Sequence, residues 1–252
     1  MSEIWSILKS GHGPSLAGAW LHLTVSFMVW LLIGAMSIPL MVALQLSETE
    51  IAWLVSLPLL GGAVLRMAAG WSADWLGARP TAVVILVMEC LVLCWGWLGV
   101  TGYGEALAFS ACLGVAGASF AVSLPIASRA YPLSAQGFVL GIAASGNIGT
   151  VLILFFAPRW AAALDWHQVC GIMAGVVAAT LLGFVLVVPR TILVPGAGAV
   201  AWWYQAAQLI RRRSAYWLSF LYAVTFGGFV GLCSVLPLLL HDVYRADAME
   251  AG

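Results

Sequence analysis

Arg66 lies within an apolar stretch and stands four residues before the short polar turn that begins at Gly70. An arginine at membrane depth costs roughly 2.5–3.5 kcal/mol on insertion scales, so it indicates a water-filled cavity, a partner charge or an anionic ligand. Its planar guanidinium stays charged and offers a fork of N–H donors that suits a small planar oxyanion such as nitrate or nitrite. The alternative is an arginine that reaches towards the membrane surface, because Arg66 is only about one helical turn from the polar turn.

Asn147 is a second candidate ligand, because its amide can donate to an anion oxygen. It lies in a run of small residues in which Gly141, Ser145 and Gly149 are spaced four apart. Small residues at that spacing form a helix face that permits close backbone approach. The amide therefore has two interpretations, an anion donor or a group that bonds a neighbouring helix.

Aromatic and acidic side chains complete the set of candidates. Phe120 and Tyr222 lie in runs that mix small and aromatic residues, where a ring can pack on a flat anion and a hydroxyl can donate. Rings in membrane helices also serve for packing alone. Glu89 lies near the middle of an apolar segment, where it could relay protons, pair with Arg66 or remain a neutral buried carboxyl.

The composition indicates a membrane protein. Hydrophobic residues make up 63% of the chain and charged residues only 8%, whereas soluble domains carry about 25% charge. The five cysteines all lie in apolar runs without metal-binding spacing, and no P-loop, zinc-protease or nucleophile-elbow motif is present. We therefore predict an all-α polytopic protein in contact with the lipid bilayer, with no enzymatic activity, no cofactor or metal and no nucleic-acid partner.

Seven segments are long and apolar enough to cross a membrane, which takes about 20 residues each. A Pro- and Gly-containing linker with three consecutive arginines separates the sixth segment from the seventh. The predicted spans run over residues 17–44, 50–70, 80–101, 106–128, 137–158, 168–189 and 215–240. The predicted organisation is a six-helix domain over 1–189, a cytoplasmic linker over 190–214, and a seventh helix with an outer loop over 215–252.

The distribution of basic residues predicts the orientation. With a cytoplasmic N-terminus, seven basic residues fall on the inside and two, Arg159 and Arg245, on the outside. Cytoplasmic loops carry an excess of Lys and Arg. The sequence therefore predicts a multi-pass protein of the cell inner (plasma) membrane whose N-terminus is cytoplasmic.

Six spans followed by a basic cytoplasmic linker resemble the first half of the major facilitator superfamily, whose halves each contain six helices. The turn between the second and third spans reads G-x-x-x-D-x-x-G-x-R, and this pattern also stands at that place in the superfamily. The resemblance implies that the motif gates access by latching the two halves in one state. Its residues here are Gly70, Asp74, Gly77 and Arg79.

Three further runs make the chain similar to the nitrate/nitrite porter family within that superfamily. They are G-x-x-G-A-S-F-A in the fourth span, the glycine-rich run around Asn147, and L-Y-x-x-T-F-G-G-F in the seventh span. The resemblance implies a secondary transporter of nitrate or nitrite that works by alternating access. It also implies that Arg66, Asn147 and Tyr222 contact the anion, with Phe120 and Phe27 packing around it.

The length of the chain departs from that family, because a porter has a second six-helix half with its own copy of the anion-binding arginine. We expect a truncated porter, a sequence fragment or one part of a split transporter whose C-terminal half another chain supplies. Two alternatives remain open at this point. One is a non-transporting membrane subunit that requires a partner, and the other is a carrier of a different small organic anion.

Overall fold

The computed structural model describes residues 2–190, 207–208 and 210–245, and its regular elements there are all helices. Most of the predicted linker therefore lies outside the described residues. The helices up to the end of the predicted six-helix domain are α1 (Ser2–Lys9), α2 (Gly13–Trp30), α3 (Leu32–Ala35), α4 (Ser37–Ala43), α5 (Glu48–Trp75), α6 (Ala78–Leu98), α7 (Tyr103–Gly117), α8 (Phe120–Arg129), α9 (Gln136–Ala144), α10 (Ile148–Ala163) and α11 (Trp166–Val187).

Short 3₁₀ turns at Leu133–Ala135 and Ser145–Asn147 extend α9 and join it to α10. The seventh predicted span consists of α12 (Arg213–Tyr222), a π-helical segment (Ala223–Gly227) and α13 (Gly228–Tyr244). Within the described residues, six helical stretches are long and apolar enough to cross a membrane. They match the second to seventh predicted spans and confirm the all-α polytopic class.

The first predicted span differs, because it is divided into α2, α3 and α4 by turns at Leu31 and Met36. Backbone hydrogen bonds of the α-helical type continue across both turns, from Leu31 N to Phe27 O (3.2 Å) and from Met36 N to Leu32 O (3.0 Å). The α2 segment packs against α7, α8, α9, α10 and α11. Because protein surrounds it, α2 can carry polar residues that a lipid-facing helix excludes.

Local sequence signals explain where α5 begins and where it turns into α6. Ser47 caps the start of α5, and the Glu50 carboxylate accepts a hydrogen bond from Ser47 N (2.9 Å) in return. This reciprocal capping box satisfies donors that the first helical turn leaves free. At the other end of α5, Gly77 adopts a positive φ of 101°, which a residue without a Cβ takes readily. The tight turn into α6 depends on this glycine.

Glycines bring α5 and α7 into close contact. A Cβ added to Gly114 would lie 2.7 Å from the Cα of Gly61, and one added to Gly117 would lie 2.8 Å from the Cα of Gly62. Small residues allow membrane helices to approach at backbone distance. The contact sets the register that places the Gly117 carbonyl beside the second half of α5.

A proline in α5 couples three helices. Pro58 has no N–H, so the carbonyl of Leu54 four residues earlier loses its helical donor. The hydroxyl of Ser110 in α7 donates to that carbonyl instead. The Pro58 carbonyl accepts a hydrogen bond from Trp30 Nε1 of α2 (2.7 Å). Trp30 is thereby held between α2, α5 and α7, facing the region of Arg66.

The seventh span contacts the bundle along one face, from Tyr222 to Pro237, and is open on its other face. A Cβ added to Gly34 of α3 would lie 3.1 Å from the carbonyl oxygen of Ser234 in α13, which marks the crossing point. Gly227, Gly228 and Gly231 have no atom within 4 Å of an added Cβ. The glycine-rich face of this span is therefore not packed by the part of the chain that the structure describes.

Candidate anion-binding site

The guanidinium of Arg66 joins three helices. Its Nε and Nη2 donate to the Gly117 carbonyl of α7 at 3.2 and 3.0 Å, and its Nη1 donates to the Tyr222 hydroxyl of α12 at 3.3 Å. The side chain is half-buried. Its donors are thus turned towards protein groups, which argues against an arginine that extends to the membrane surface.

The hydrogen bonds leave two N–H groups for a ligand. A guanidinium has five N–H donors, and three of them are used by Gly117 and Tyr222 within the described chain. The remaining donors are one N–H on Nη1 and one on Nη2. Because Gly117 occupies the edge formed by Nε and Nη2, an anion would bind the donors that remain on the two terminal nitrogens.

An aromatic cage surrounds this guanidinium, formed by Trp30, Phe120, Phe226 and Tyr222. The Arg66 Cζ atom lies over the rings of Trp30, Phe120 and Phe226 at 5.6, 5.3 and 5.5 Å from their centroids. Cations are attracted to aromatic faces at such distances. The cage therefore stabilises the charge of Arg66, which has no acidic partner among the described residues.

Two rings of the cage come from the seventh span, Tyr222 directly before its π-helical segment and Phe226 within it. Tyr222 and Phe226 are stacked with their centroids 4.8 Å apart and an interplanar angle of 16°. Single π-helical turns are frequent at functional sites. The wide turn at Ala223–Gly227 thus lies at the point where the seventh span presents its aromatic residues to the first bundle.

Phe27 lies one layer behind the cage. It is fully buried, and its ring packs edge-on against Trp30 (5.4 Å) and Phe226 (6.1 Å). The structure therefore places four of the five predicted site residues together: Arg66, Phe120 and Tyr222 in the site itself and Phe27 in its support. Trp30 and Phe226 were missed. Both could have been found, because Phe226 stands four residues after Tyr222 and Trp30 stands three residues after Phe27, which are spacings of one helix face.

Asn147 makes no hydrogen bond with Arg66 or Tyr222, and its Oδ1 atom is buried without a partner in the described chain. The oxygen therefore does not bond another helix, one of the two interpretations of this residue. Packing around it also differs from the predicted face, since Gly146 and Gly149 are the glycines that approach α2, while Gly141 has nothing within 4 Å.

The two charged residues of the motif, Asp74 and Arg79, differ in exposure and in their partners. Asp74 and Arg129 of α8 form an ion pair at 3.6 Å, with 68% of the Asp74 side chain and 36% of the Arg129 side chain exposed. Arg79 is buried and donates from Nε to the carbonyl of Val188 (2.6 Å) and from Nη2 to that of Val185 (3.0 Å). Arg79 thus binds the C-terminal end of α11, while Asp74 lies near the surface.

Glu89 does not pair with Arg66. Both of its carboxyl oxygens are buried and have no hydrogen-bond partner in the described chain. Of the three interpretations of Glu89, the ion pair is therefore wrong, and the neutral carboxyl and the proton relay remain.

The sequence was compared with protein-family models and with curated proteins. Residues 19–252 match the model of the Major Facilitator Superfamily. A Mycobacterium tuberculosis protein named "Probable nitrate/nitrite transporter NarK2" is 33% identical over 232 residues, 90% of this chain and 58% of that protein.

Two further curated relatives carry names of the same kind. The Thermus thermophilus "Probable nitrate/nitrite antiporter NarK1" is 29% identical over 92% of this chain and 54% of that protein. The Bacillus subtilis "Nitrite extrusion protein" is 28% identical over 92% of this chain and 58% of that protein. The chain thus spans between 54% and 58% of the length of these three relatives. With a family match over nearly its whole length and an all-helical polytopic fold, this chain belongs to the Major Facilitator Superfamily.

Proposed function

We propose that the protein is a secondary transporter of nitrate, nitrite or both, working by alternating access. The observation that carries the proposal is Arg66, which has two N–H donors left over inside an aromatic cage built from both the first bundle and the seventh span. Nitrate and nitrite are planar monoanions, so their oxygens match a guanidinium edge while the rings contact their faces. The names of the curated relatives support the same substrates.

The contributions of the site residues differ. Arg66 supplies charge and two donors, and Tyr222 orients it through their hydrogen bond. Phe120 and the other cage rings exclude water, which strengthens the interaction between the guanidinium and an anion. Phe27 supports Trp30 and Phe226 from behind. Asn147 would donate to the anion from its Nδ2 group, because its Oδ1 is an acceptor and cannot bind an anion oxygen.

Alternating access requires that Arg66 exchange exposure between the two sides of the membrane. We place the gate at the turn between α5 and α6, with Gly70 and Gly77 allowing helix approach and Asp74 and Arg79 as its charged members. The proposed orientation has this turn and the N-terminus in the cytoplasm, because most of the basic residues lie on that side.

The open face of the seventh span suggests what completes the structure. Gly227, Gly228 and Gly231 form a small-residue face where the π-helical segment passes into α13, and the described chain does not pack on it; membrane helices associate against such surfaces. We propose that further helices of a C-terminal half cover it, either in the same polypeptide or in another chain. If the seventh span belongs to that C-terminal half, the chain divides into a six-helix domain at 1–189 and a second unit that begins at 215.

Anion binding is tested on the purified protein in lipid nanodiscs. Nitrate should raise the unfolding temperature of the wild type, because a ligand that binds the native state stabilises it. Arg66→Lys should abolish most of this shift, since lysine keeps the charge but loses the planar pair of donors. Arg211→Lys, the same change at an exposed site, is the matched control and should behave like the wild type.

Transport is tested by nitrate flux into liposomes that contain the protein. We expect flux with the wild type and the Arg211→Lys control and none with Arg66→Ala. Normal nitrate stabilisation and flux in Arg66→Lys would show that the guanidinium edge is not the binding element. Stabilisation by acetate and not by nitrate would point instead to a carrier of small organic anions.

A further inference from the structure

A cavity of about 350 Å³ lies between α1, the start of α2, the turn after α8, and α9. Its volume lies within the range of about 300–1,000 Å³ that is usual for small-molecule pockets. The cavity is partly open, and Ala17 in its wall is exposed. Most of the wall is apolar, and it includes Leu8, Leu16, Ala17, Trp20, Tyr131 and Ile142. None of these residues takes part in the anion site, so the cavity is a separate feature of the chain.

The two polar side-chain groups in the wall already have hydrogen-bond partners. Trp20 Nε1 donates to the hydroxyl of Ser145 (3.1 Å), and the Tyr131 hydroxyl donates to the carbonyl of Leu8 (3.2 Å). A buried water needs two to four polar partners, and this wall offers few. An empty cavity would lose the dispersion contacts that a filled one makes. The cavity therefore suits a hydrocarbon group better than water or a polar ligand.

The helix that closes one side of the cavity has the features of a helix at the membrane surface. Trp5 of α1 is 63% exposed, Leu8 lines the cavity and Lys9 is exposed. Leu8 and Lys9 follow Trp5 by three and four residues, so all three lie on neighbouring parts of the helix surface. Helices that combine Trp, Leu and Lys in this way lie in the interface between headgroups and acyl chains. The cavity thus lies where acyl chains begin, with a cation next to it.

Lys9 is available for an anionic headgroup. It makes no ion pair and no hydrogen bond through its side chain among the described residues. Arg129, two residues before Tyr131, is already paired with Asp74 at 3.6 Å. Glu3 stands at the other end of α1, about 9 Å from Lys9 along the helix axis at 1.5 Å per residue. A lysine binds phosphate as a point charge, and the charge of Lys9 is complementary to that of an anionic lipid.

We propose that this cavity binds one acyl chain of an anionic phospholipid whose phosphate contacts Lys9. Acyl chains form the medium around the spans of a membrane protein, and anionic lipids attract basic residues at the membrane surface. The bound chain would contact α1, α2 and α9 together. The lipid would therefore hold the N-terminal helix against the first and fifth spans.

The site is tested with a photoactivatable lipid in nanodiscs that otherwise contain phosphatidylcholine. The probe is a phosphatidylglycerol with a diazirine on one acyl chain, and mass spectrometry locates the label after illumination. We expect labelled residues within 8–20 and 131–142. Excess unlabelled phosphatidylglycerol should reduce this labelling, whereas the same excess of phosphatidylcholine should not. These measurements use the wild type, so they do not depend on the folding of any variant.

Two variants separate the cavity from the charge. Ala17→Phe places a ring in the cavity and should abolish labelling of its wall, while Ala178→Phe, the same change at an exposed position of α11, should not. Lys9→Gln should weaken the competition by unlabelled phosphatidylglycerol about fivefold, which is the contribution of one basic residue near an anionic lipid surface. Arg211→Gln, which also removes one exposed cation, is the control and should compete like the wild type.

Three results would overturn the inference. No label within 8–20 or 131–142 of the wild type would show that another occupant, such as a further helix, covers the cavity. Unchanged labelling of the wall in Ala17→Phe would show that the chain binds outside the cavity. Equal competition by phosphatidylcholine and phosphatidylglycerol in the wild type would show that the site does not select an anionic lipid.

Discussion

Arg79 allows a direct test of whether a motif arginine holds the fold together or only gates it. Its guanidinium is buried and donates to two carbonyls at the C-terminal end of α11, those of Val185 and Val188. The last carbonyls of a helix have no partner within the helix. Arg79 supplies partners from the start of α6 and so joins the third span to the sixth.

The magnitude follows from these two bonds. A hydrogen bond to a charged group contributes about 1.5–3 kcal/mol. Both carbonyls lie near a helix end, where a water molecule can replace part of the hydrogen-bond energy. We therefore take the lower value for each bond. Arg79→Met, which keeps length and removes all donors, should therefore destabilise the bundle by about 3 kcal/mol. At about 2–4 °C per kcal/mol for a chain of this size, the unfolding temperature should fall by about 6–12 °C.

The assay is thermal unfolding in lipid nanodiscs followed by tryptophan fluorescence. Arg79→Lys should lie between the wild type and Arg79→Met, because one ammonium can reach one carbonyl. Arg129→Met is the matched comparison, since Arg129 pairs with Asp74 at 3.6 Å through side chains that are 36% and 68% exposed. Exposed ion pairs contribute about 0–1 kcal/mol, so this variant should unfold within a few degrees of the wild type.

Two results would refute this reasoning about Arg79. An unfolding temperature for Arg79→Met equal to that of the wild type would show that water replaces the guanidinium without loss. A larger effect of Arg129→Met than of Arg79→Met would show that the surface pair, and not the buried arginine, holds the spans together. In either case Arg79 would be available for the gating role that its motif predicts.

Two further predictions concern the packing beneath the site. Gly117→Ala places a Cβ 2.6 Å from the Trp30 ring, and overpacking of this kind costs about 1–3 kcal/mol. The unfolding temperature and the stabilisation by nitrate should therefore both fall. Gly104→Ala, whose Cβ meets nothing within 4 Å, is the control and should leave the stabilisation by nitrate unchanged. Ser110→Ala removes the hydroxyl donor to the Leu54 carbonyl above Pro58, so it should lower stability by about 1 kcal/mol, and an unfolding temperature equal to that of the wild type would show that water satisfies this carbonyl.

Much of the fold was accessible from the sequence because long apolar segments must become helices in a membrane. The second to seventh spans were predicted in this way. The interruption of the first span was not predicted, although Gly34 and Pro39 stand near the turns at Leu31 and Met36 and both residue types weaken a helix. The packing around these turns could not be predicted from the sequence: α2 contacts the helices from α5 to α11, and all four residues of α3 are buried.

The candidate site, too, was partly predictable from the sequence and partly decided by tertiary structure. Arg66 could be found from the sequence alone, because a charge in an apolar span is expensive and must have a use. Tyr222 and Phe120 followed from resemblance to a family of anion porters. That they meet Arg66 was decided by tertiary structure, which brings Tyr222 within 3.3 Å of a residue 156 positions earlier in the chain.

The roles of the other charges depended on structure throughout. One motif contains both Asp74 and Arg79, yet the first lies at the surface and the second is buried against α11. A sequence pattern shows which residue types occur and at what spacing. From these the sequence alone predicted the helices, their membrane location and the charged residues that lie within apolar spans. Only the packing of the helices decided which charges are solvated and which are paired. It also decided that the Glu89 carboxyl is buried without a hydrogen-bond partner among the described residues, because solvation and pairing depend on neighbours distant in sequence.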